Sequence, residues 1–314
     1  MNACSWGNGT IATRDLMIGV VFLSQTIFGI WGNCSLHYRY IFFYFTGCRA
    51  RSTSLILKHL TVANSLVIAF RGVPQTVEAF GLKIFLSDFG CKLVFYVLRL
   101  GRGVSLGTTC LLSVFQAITI SPWNSRLAEL KVQVLRCTGP CITVFWILYM
   151  LVNIVFPLYV AGKWNNKTIT KKKDLGFCSG MWNDTITQSL LAAVLTAPDV
   201  VCLGLMIWAS IYMVFTLYGH KQRVQHIHRN GISRRSSSVT RATQSILVLV
   251  STFVSFYTLS SIFSIDLALS DHPSWWQLNI TAMFALCFPS VSPFLLSHES
   301  KGLRIFSASC RRNA

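Results

Sequence analysis

Long uncharged apolar tracts separate the charged residues of this chain. Between Asp15 and His37 lie 21 residues without a charge, between Arg102 and Arg126 lie 23, between Arg136 and Lys163 lie 26, and between Arg241 and Asp266 lie 24. A helix needs about 20 apolar residues to cross the hydrocarbon core of a bilayer. These four tracts therefore predict membrane spans on length alone. Three further tracts are interrupted. Residues 56–76 hold Arg71, with Pro74 near the end; residues 186–219 hold Asp199 beside Pro198; residues 275–297 hold Pro289 and Pro293. Proline is tolerated in membrane helices because neighbouring groups re-satisfy the freed backbone. The expected architecture is an all-α membrane protein, a single seven-helix bundle over residues 1–314. Its spans lie near 16–36, 56–76, 93–120, 139–161, 187–218, 243–267 and 276–297.

Composition agrees with that pattern. The chain is 53% hydrophobic and 12% charged, with a mean hydropathy of +0.53, whereas soluble domains carry about 25% charged residues. The first tract lacks a basic n-region, since Arg14 is cancelled by Asp15, and has no small-residue cleavage site. It reads as an uncleaved span rather than a signal peptide. No internal repeat or long linker leaves room for a soluble domain.

Seven spans put the termini on opposite sides, and Lys and Arg distribute unequally between the two sets of loops. The set comprising 37–58, 121–136, 220–241 and 298–314 holds 17, the other set 8, and Arg71, Arg99 and Arg102 lie within spans. The positive-inside rule predicts an extracellular N-terminus and a cytoplasmic C-terminus. The net charge of +18 is thus mainly topology, and its division among short loops argues against nucleic-acid binding. Asn-x-Thr sequons at Asn8, Asn166 and Asn183 all fall on the expected outer side. Asn166, in the longest outer loop, and Asn8 are the glycosylation candidates; Asn183 and Asn279 lie too near the membrane, and the Asn33 sequon is inside the first span.

The eleven cysteines divide by the same topology. Cys34, Cys110, Cys202 and Cys287 fall in spans, and Cys48, Cys137, Cys141 and Cys310 on the cytoplasmic side. Cys4, Cys91 and Cys178 fall outside, with Cys4 on a short free N-terminus. Disulfides form in the oxidising compartment, so Cys91, at the start of the third span, is paired with Cys178 in the second outer loop.

One pentapeptide suggests different chemistry. "GVSLG", residues 103–107, matches the nucleophile-elbow pattern G-x-S-x-G with Ser105 in the nucleophile's place. That motif needs a strand, a strained turn and a helix, with an acid and a histidine in reach. Here it lies inside one span, and no histidine is expected within a span to serve Ser105. Gly103 and Gly107 instead form a G-x-x-x-G face that lets a neighbouring helix approach, with the Ser105 hydroxyl bonded to the backbone one turn back.

Several blocks are far more specific. "GCRARSTSLILKHLTVANSLVI", "FGCKLVFYVLRLGRGVSLGTTCLLSVFQAITISP", "GKWNNKTITKKKDLGFCS", "HKQRVQHIHR" and "CFPSVSPF" follow one another along nearly the whole chain. In order and content the chain resembles the vomeronasal type-1 pheromone receptors, a family of G-protein-coupled receptors. The usual Asp-Arg-Tyr position holds Phe115, Gln116 and Ala117. Asn64 stands where many receptors have an aspartate, and "FPSVS" replaces Asn-Pro-x-x-Tyr. The resemblance implies chemosensory recognition of a small molecule outside, Gi/Go-type coupling inside, and a multi-pass plasma-membrane location. It also implies a histidine at the position of Arg99, from which this chain departs.

Charged groups at membrane depth are functional-site candidates. Arg99 and Arg102 lie about 12 and 16 Å below Cys91 at 1.5 Å per residue, near one helix face, and Arg71 lies one turn from Pro74 on the neighbouring second span. Two readings stand side by side. In one, the arginines are structural: Arg71 pairs with Glu78, Arg102 reaches Asp199, and Arg99 extends toward the outer loops. In the other, Arg102, with Arg99 or Arg71 and with Asp199 opposite, forms a pocket for an acidic or acceptor-rich ligand. Only Glu78, Asp199 and Asp266 are expected as acids in or bordering the spans.

At the inner face, residues 220–241 hold six Lys or Arg and no acid. Helical extensions of the fifth and sixth spans would present Lys221, Arg223, Arg229 and Arg241, together with Gln116, to a G protein or to anionic lipid headgroups. His220, His226 and His228 lack zinc spacing, so no metal and no cofactor are expected. "RRSSS" is a phosphate-acceptor candidate and Cys310 a palmitoylation candidate. A transporter would show an internal repeat, and an intramembrane enzyme would need a convergent nucleophile and base; neither pattern is present. A bitter-taste-like or orphan chemoreceptor is the nearest alternative.

Overall fold

The computed structural model describes residues 4–45, 52–82, 86–121, 125–161, 172–174, 178–181, 185–227, 234–269 and 274–312. Seven helical stretches among them are long and apolar enough to cross a membrane: Thr13–Phe42, Thr53–Ala79, Asp88–Ile120, Arg136–Tyr159, Ala193–Gly219, Leu247–Ser264 and Trp275–Leu296. The helices overrun the spans. The first runs Cys4–Phe45, so Cys4 and Asn8 lie on helix rather than on a free terminus. The fifth and sixth run Thr185–Ile227 and Arg234–Leu269. Cys137 and Cys141, assigned to the cytoplasmic side, belong to the fourth span.

The third span is the axle of the bundle. Of its most apolar stretch 72% is buried, against 18% for the fourth span and 22% for the fifth, whose outer faces carry the apolar side chains a bilayer would cover. Its start is capped by Ser87, whose Oγ accepts from Gly90 N at 3.2 Å. The seventh span opens on a capping box. There Ser274 Oγ accepts from Gln277 N at 3.3 Å, while Gln277 Oε1 accepts from Ser274 N at 2.8 Å.

The second span is not a uniform helix. Residues Ser52–Val67 are α-helical, Ile68–Gly72 form a π-helical turn, and Val73–Ala79 resume the α-helix. Pro74 accounts for the interruption, because it lacks an N–H and its ring crowds the carbonyl four residues earlier, at Phe70. Arg71 sits in the π turn. The span ends in a Schellman arrangement: Gly81 has φ +76°, and Leu82 N and Gly81 N donate to Val77 O and Glu78 O.

A small sheet accompanies the seven helices. Strands β1 (Val160–Ala161), β2 (Lys172–Asp174) and β3 (Ser179–Met181) pair antiparallel in the order β1-β3-β2. Cys178, beside β3, is bonded to Cys91 with Cα atoms 5.9 Å apart. Val94, Phe95 and Val160 pack around the bridge. The sheet is thereby tied to the third span, at what is called below the disulfide end.

Candidate functional site

The third span presents Arg99, Arg102 and Ser105 to three different neighbours. Arg99 Nε donates to Asn153 Oδ1 of the fourth span at 2.8 Å. Asn153 is buried, and its Nδ2 donates to Tyr149 O, one turn back, at 2.7 Å. Arg99 therefore does not extend toward the loops; it is held by the fourth span.

Arg102 does not pair directly with Asp199. Its Nη2 donates to Ser261 Oγ at 3.2 Å, and its guanidinium lies 4.6 Å from the ring centre of Tyr257 on the sixth span. The Tyr257 hydroxyl donates to Asp199 Oδ2, and Tyr149 Oη donates to Asp199 Oδ1 at 3.1 Å. The carboxylate of the fifth span thus gathers hydroxyls from the fourth and sixth. Arginine and aspartate are linked through one tyrosine, which offers its face to the cation and its proton to the anion. A carboxylate at membrane depth needs such donors, since its desolvation is otherwise uncompensated.

Arg71 is buried, within electrostatic range of both Glu78 and Arg102, and Arg102 is likewise in range of Arg99. The structure therefore brings the three arginines together around the third span. Asp266 accepts from Gln277 Nε2 at 2.8 Å and joins the sixth span to the seventh. Two acids join the three expected: Asp15 lies within the first span, and Asp88 opens the third.

Below Arg102 lies a cavity of about 30 Å³, room for a water and little more. Arg102, Ser105, Tyr257 and Ser260 supply its polar wall, and Phe253, Phe284 and Phe288 much of the rest. Ser260 Oγ is buried with no hydrogen-bond partner among the described residues. A buried hydroxyl without a partner is uncommon, and here it borders a space that Arg102 also lines.

Ser105 is not set up as a nucleophile. Its hydroxyl donates to Asn64 Oδ1 at 2.7 Å, and Asn64 Nδ2 donates to Ser292 Oγ at 2.9 Å. The hydroxyl is satisfied across the bundle rather than on its own backbone. His37 and His59 fall within the first and second spans. Neither serves Ser105: His59 Nδ1 accepts from Trp146 Nε1 at 3.2 Å, and His37 Nδ1 lies 3.5 Å from Thr61 Oγ1.

The glycines beside Ser105 receive side chains rather than a backbone. A Cβ on Gly103 would enter the Tyr149 ring, and one on Gly107 would stand 2.7 Å from Phe145 Cδ1. Gly101 is where backbones meet, its missing Cβ lying 3.0 Å from Ala63 O of the second span.

At the end opposite the disulfide, Gln116 is buried, 9% exposed. Lys221 and Arg223 lie on the fifth helix and Arg241 on the sixth. Arg229 and Asn166 fall outside the described residues. No group of three His, Cys, Asp or Glu able to hold a metal occurs among the described residues.

Tyr149, Asn153, Tyr257 and Ser261 were missed in the sequence. The available signal was a hydroxyl or amide in an otherwise apolar tract, which must find a partner when buried. The i, i+4 spacing of Tyr149 and Asn153 placed them on one face.

Comparison with known proteins follows the same lines. Residues 16–308 match the vomeronasal organ pheromone receptor family. The chain is 55% identical to human vomeronasal type-1 receptor 4, covering 91% of this chain and 95% of that one. It is 53% identical to human vomeronasal type-1 receptor 2, covering 93% and 74%, and 52% identical to human vomeronasal type-1 receptor 3, covering 96% and 97%. Squid rhodopsin superposes with a TM-score of 0.68 over 91% of this chain and 77% of its own, at 15% identity, which is a likeness of fold.

Proposed function

Because the chain belongs to the vomeronasal organ pheromone receptor family, we propose that it detects pheromone-like small molecules through Arg102 and signals through Gi/Go-type G proteins. The family and the seven spans make it a multi-pass plasma-membrane chemoreceptor of the G-protein-coupled class, not an enzyme. In the proposed orientation the disulfide end faces outward, and Asn8 and Asn166 accept glycans there. The Lys and Arg counts of the two loop sets support it.

The observation that carries the ligand reading is the wall of the first cavity. Arg102 lines it together with Ser260, whose hydroxyl has no partner among the described residues, and no acid lines the space. An acidic or acceptor-rich ligand would take hydrogen bonds from Arg102 and Ser260, with Arg71 and Arg99 adding positive potential. Small-molecule sites measure roughly 300–1,000 Å³, so the ligand must displace Tyr257 and the phenylalanines around it. Moving Tyr257 breaks the link to Asp199 and frees the sixth span. Outward movement of that span would uncover Gln116 and present Lys221, Arg223, Arg229 and Arg241 to the G protein.

The test is a surface-expressed receptor with a Gi/Go reporter, challenged with acidic metabolites, steroids and volatiles. Pertussis-toxin-sensitive responses are expected, with loss in Arg102→Ala and partial retention in Arg102→Lys. Unchanged responses in Arg102→Ala at equal surface density would refute the ligand role.

A further inference from the structure

A second cavity, of about 360 Å³, opens between the tips of the first, second and seventh spans at the disulfide end. That volume lies within the range of roughly 300–1,000 Å³ typical of small-molecule sites. Its polar wall is made of Asp15, Gln75, Glu78 and Asn279, and its aromatic wall of Phe80 and Trp275. No Lys or Arg lines it, in a chain with 28 such residues and only 10 acids. The cavity below Arg102 has the reverse character, an arginine without an acid.

Two observations beyond the carboxylates point to a cationic occupant. The first is Gln75, which is 6% exposed and donates from Nε2 to Asn279 Oδ1 at 3.3 Å. Among the described residues its Oε1 accepts no hydrogen bond. An N–H of a ligand in the cavity would donate to that oxygen. The second is Arg14. Its guanidinium lies 3.9 Å from the Trp275 ring centre, and its Nε lies 3.5 Å from Asp15 Oδ1. A cation of the chain itself already rests at the rim, between an aromatic face and a carboxylate. That pairing is how proteins hold organic ammonium groups.

The geometry points to a binding site for a small organic ammonium ion. Its N–H groups meet Gln75 Oε1, Asp15 and Glu78, and its carbon body packs on Phe80 and Trp275. Glu78 also lies in the field of Arg71, so it contributes less than a lone carboxylate would. Arg14 competes with the ligand for Asp15 and Trp275. The site shares no lining residue with the cavity below Arg102 and does not depend on that cavity's ligand.

The test uses the full-length receptor in lipid nanodiscs and isothermal titration calorimetry with two probes, 2-phenylethylammonium and the uncharged 2-phenylethanol. The ammonium ion is expected to bind at least about tenfold more tightly than the alcohol, the value of a charge-assisted bond. Glu78→Gln and Gln75→Leu should each weaken it by about the same factor. Arg14→Gln should strengthen it several-fold, a gain that misfolding cannot imitate. Equal affinity for the alcohol, no binding of the ammonium ion, or unaltered affinity in Arg14→Gln overturns the proposal. If Glu78→Gln fails to fold, Arg14→Gln decides.

Discussion

The guanidinium of Arg102 lies over the ring of Tyr257, 4.6 Å from its centre, while the hydroxyl of the same ring donates to Asp199. One aromatic side chain therefore joins the third, fifth and sixth spans.

Tyr257→Phe keeps the ring under Arg102 but removes a donor from Asp199. Hydrogen bonds between membrane helices are worth about 0.6 kcal/mol on average and ~1.7 at most, so stability should fall by that amount. Ligand-independent reporter activity should rise, because the sixth span loses its tie to the fifth. Thermal unfolding in nanodiscs and basal signalling at matched surface density measure the two effects. Tyr257→Leu, which also loses the cation–π contact, should cost a further ~1–2 kcal/mol.

Ser105→Ala should lower stability by a similar ~0.6–1.7 kcal/mol, since Asn64 Oδ1 loses its donor. The double variant with Asn64→Leu should cost less than the two single changes summed, a coupling that a double-mutant cycle reads directly. Additive effects would mean that the hydroxyl is satisfied elsewhere.

The notch at Gly107 gives a steric test. Gly107→Ala places a methyl group against Phe145 and should destabilise by ~1–3 kcal/mol, with recovery in the double variant Gly107→Ala, Phe145→Leu. Gly204→Ala has open space around it and should gain up to ~1 kcal/mol from helix propensity. Surface yield and melting temperature distinguish the pair.

Breaking the Cys91–Cys178 bridge, which spans a sequence separation of 87, should cost ~2–5 kcal/mol. Cys91→Ser, Cys178→Ser and the double variant should lose surface expression to the same extent, because each removes the same covalent tie between sheet and third span. Unequal losses would point to a separate role for one thiol.

The seven spans and the family were legible because both are carried by linear features: tract length between charges, and ordered blocks such as "GVSLGTTCLLSVFQ". The partners of buried polar groups were not. Whether Arg102 meets Asp199 or Tyr257 depends on how each helix is rotated about its own axis. Rotation is set by packing of all seven helices at once, not by spacing within one tract. The same holds for Ser105, whose nearest acceptor in sequence is its own backbone and whose actual acceptor is Asn64. The sheet was missed for a different reason. Strands of two and three residues such as β1 and β3 leave no periodicity to read, and their pairing is anchored by a bridge to a distant helix.

The π turn at Ile68–Gly72 divides the second span into two segments whose phases are set separately. One residue in an α-helix corresponds to about 100° of rotation, and the wider turn absorbs one residue without lengthening the span by a full step. Removing a residue from Ile68–Gly72 would let the turn close to α geometry, and Gln75, Glu78 and Phe80 would keep their aim, whereas removing one from the α-helical Ser52–Val67 would swing everything beyond it by about that angle. The turn is thus a buffer of helical register: a change of one residue in chain length is taken up there without turning the entrance of the receptor against its interior.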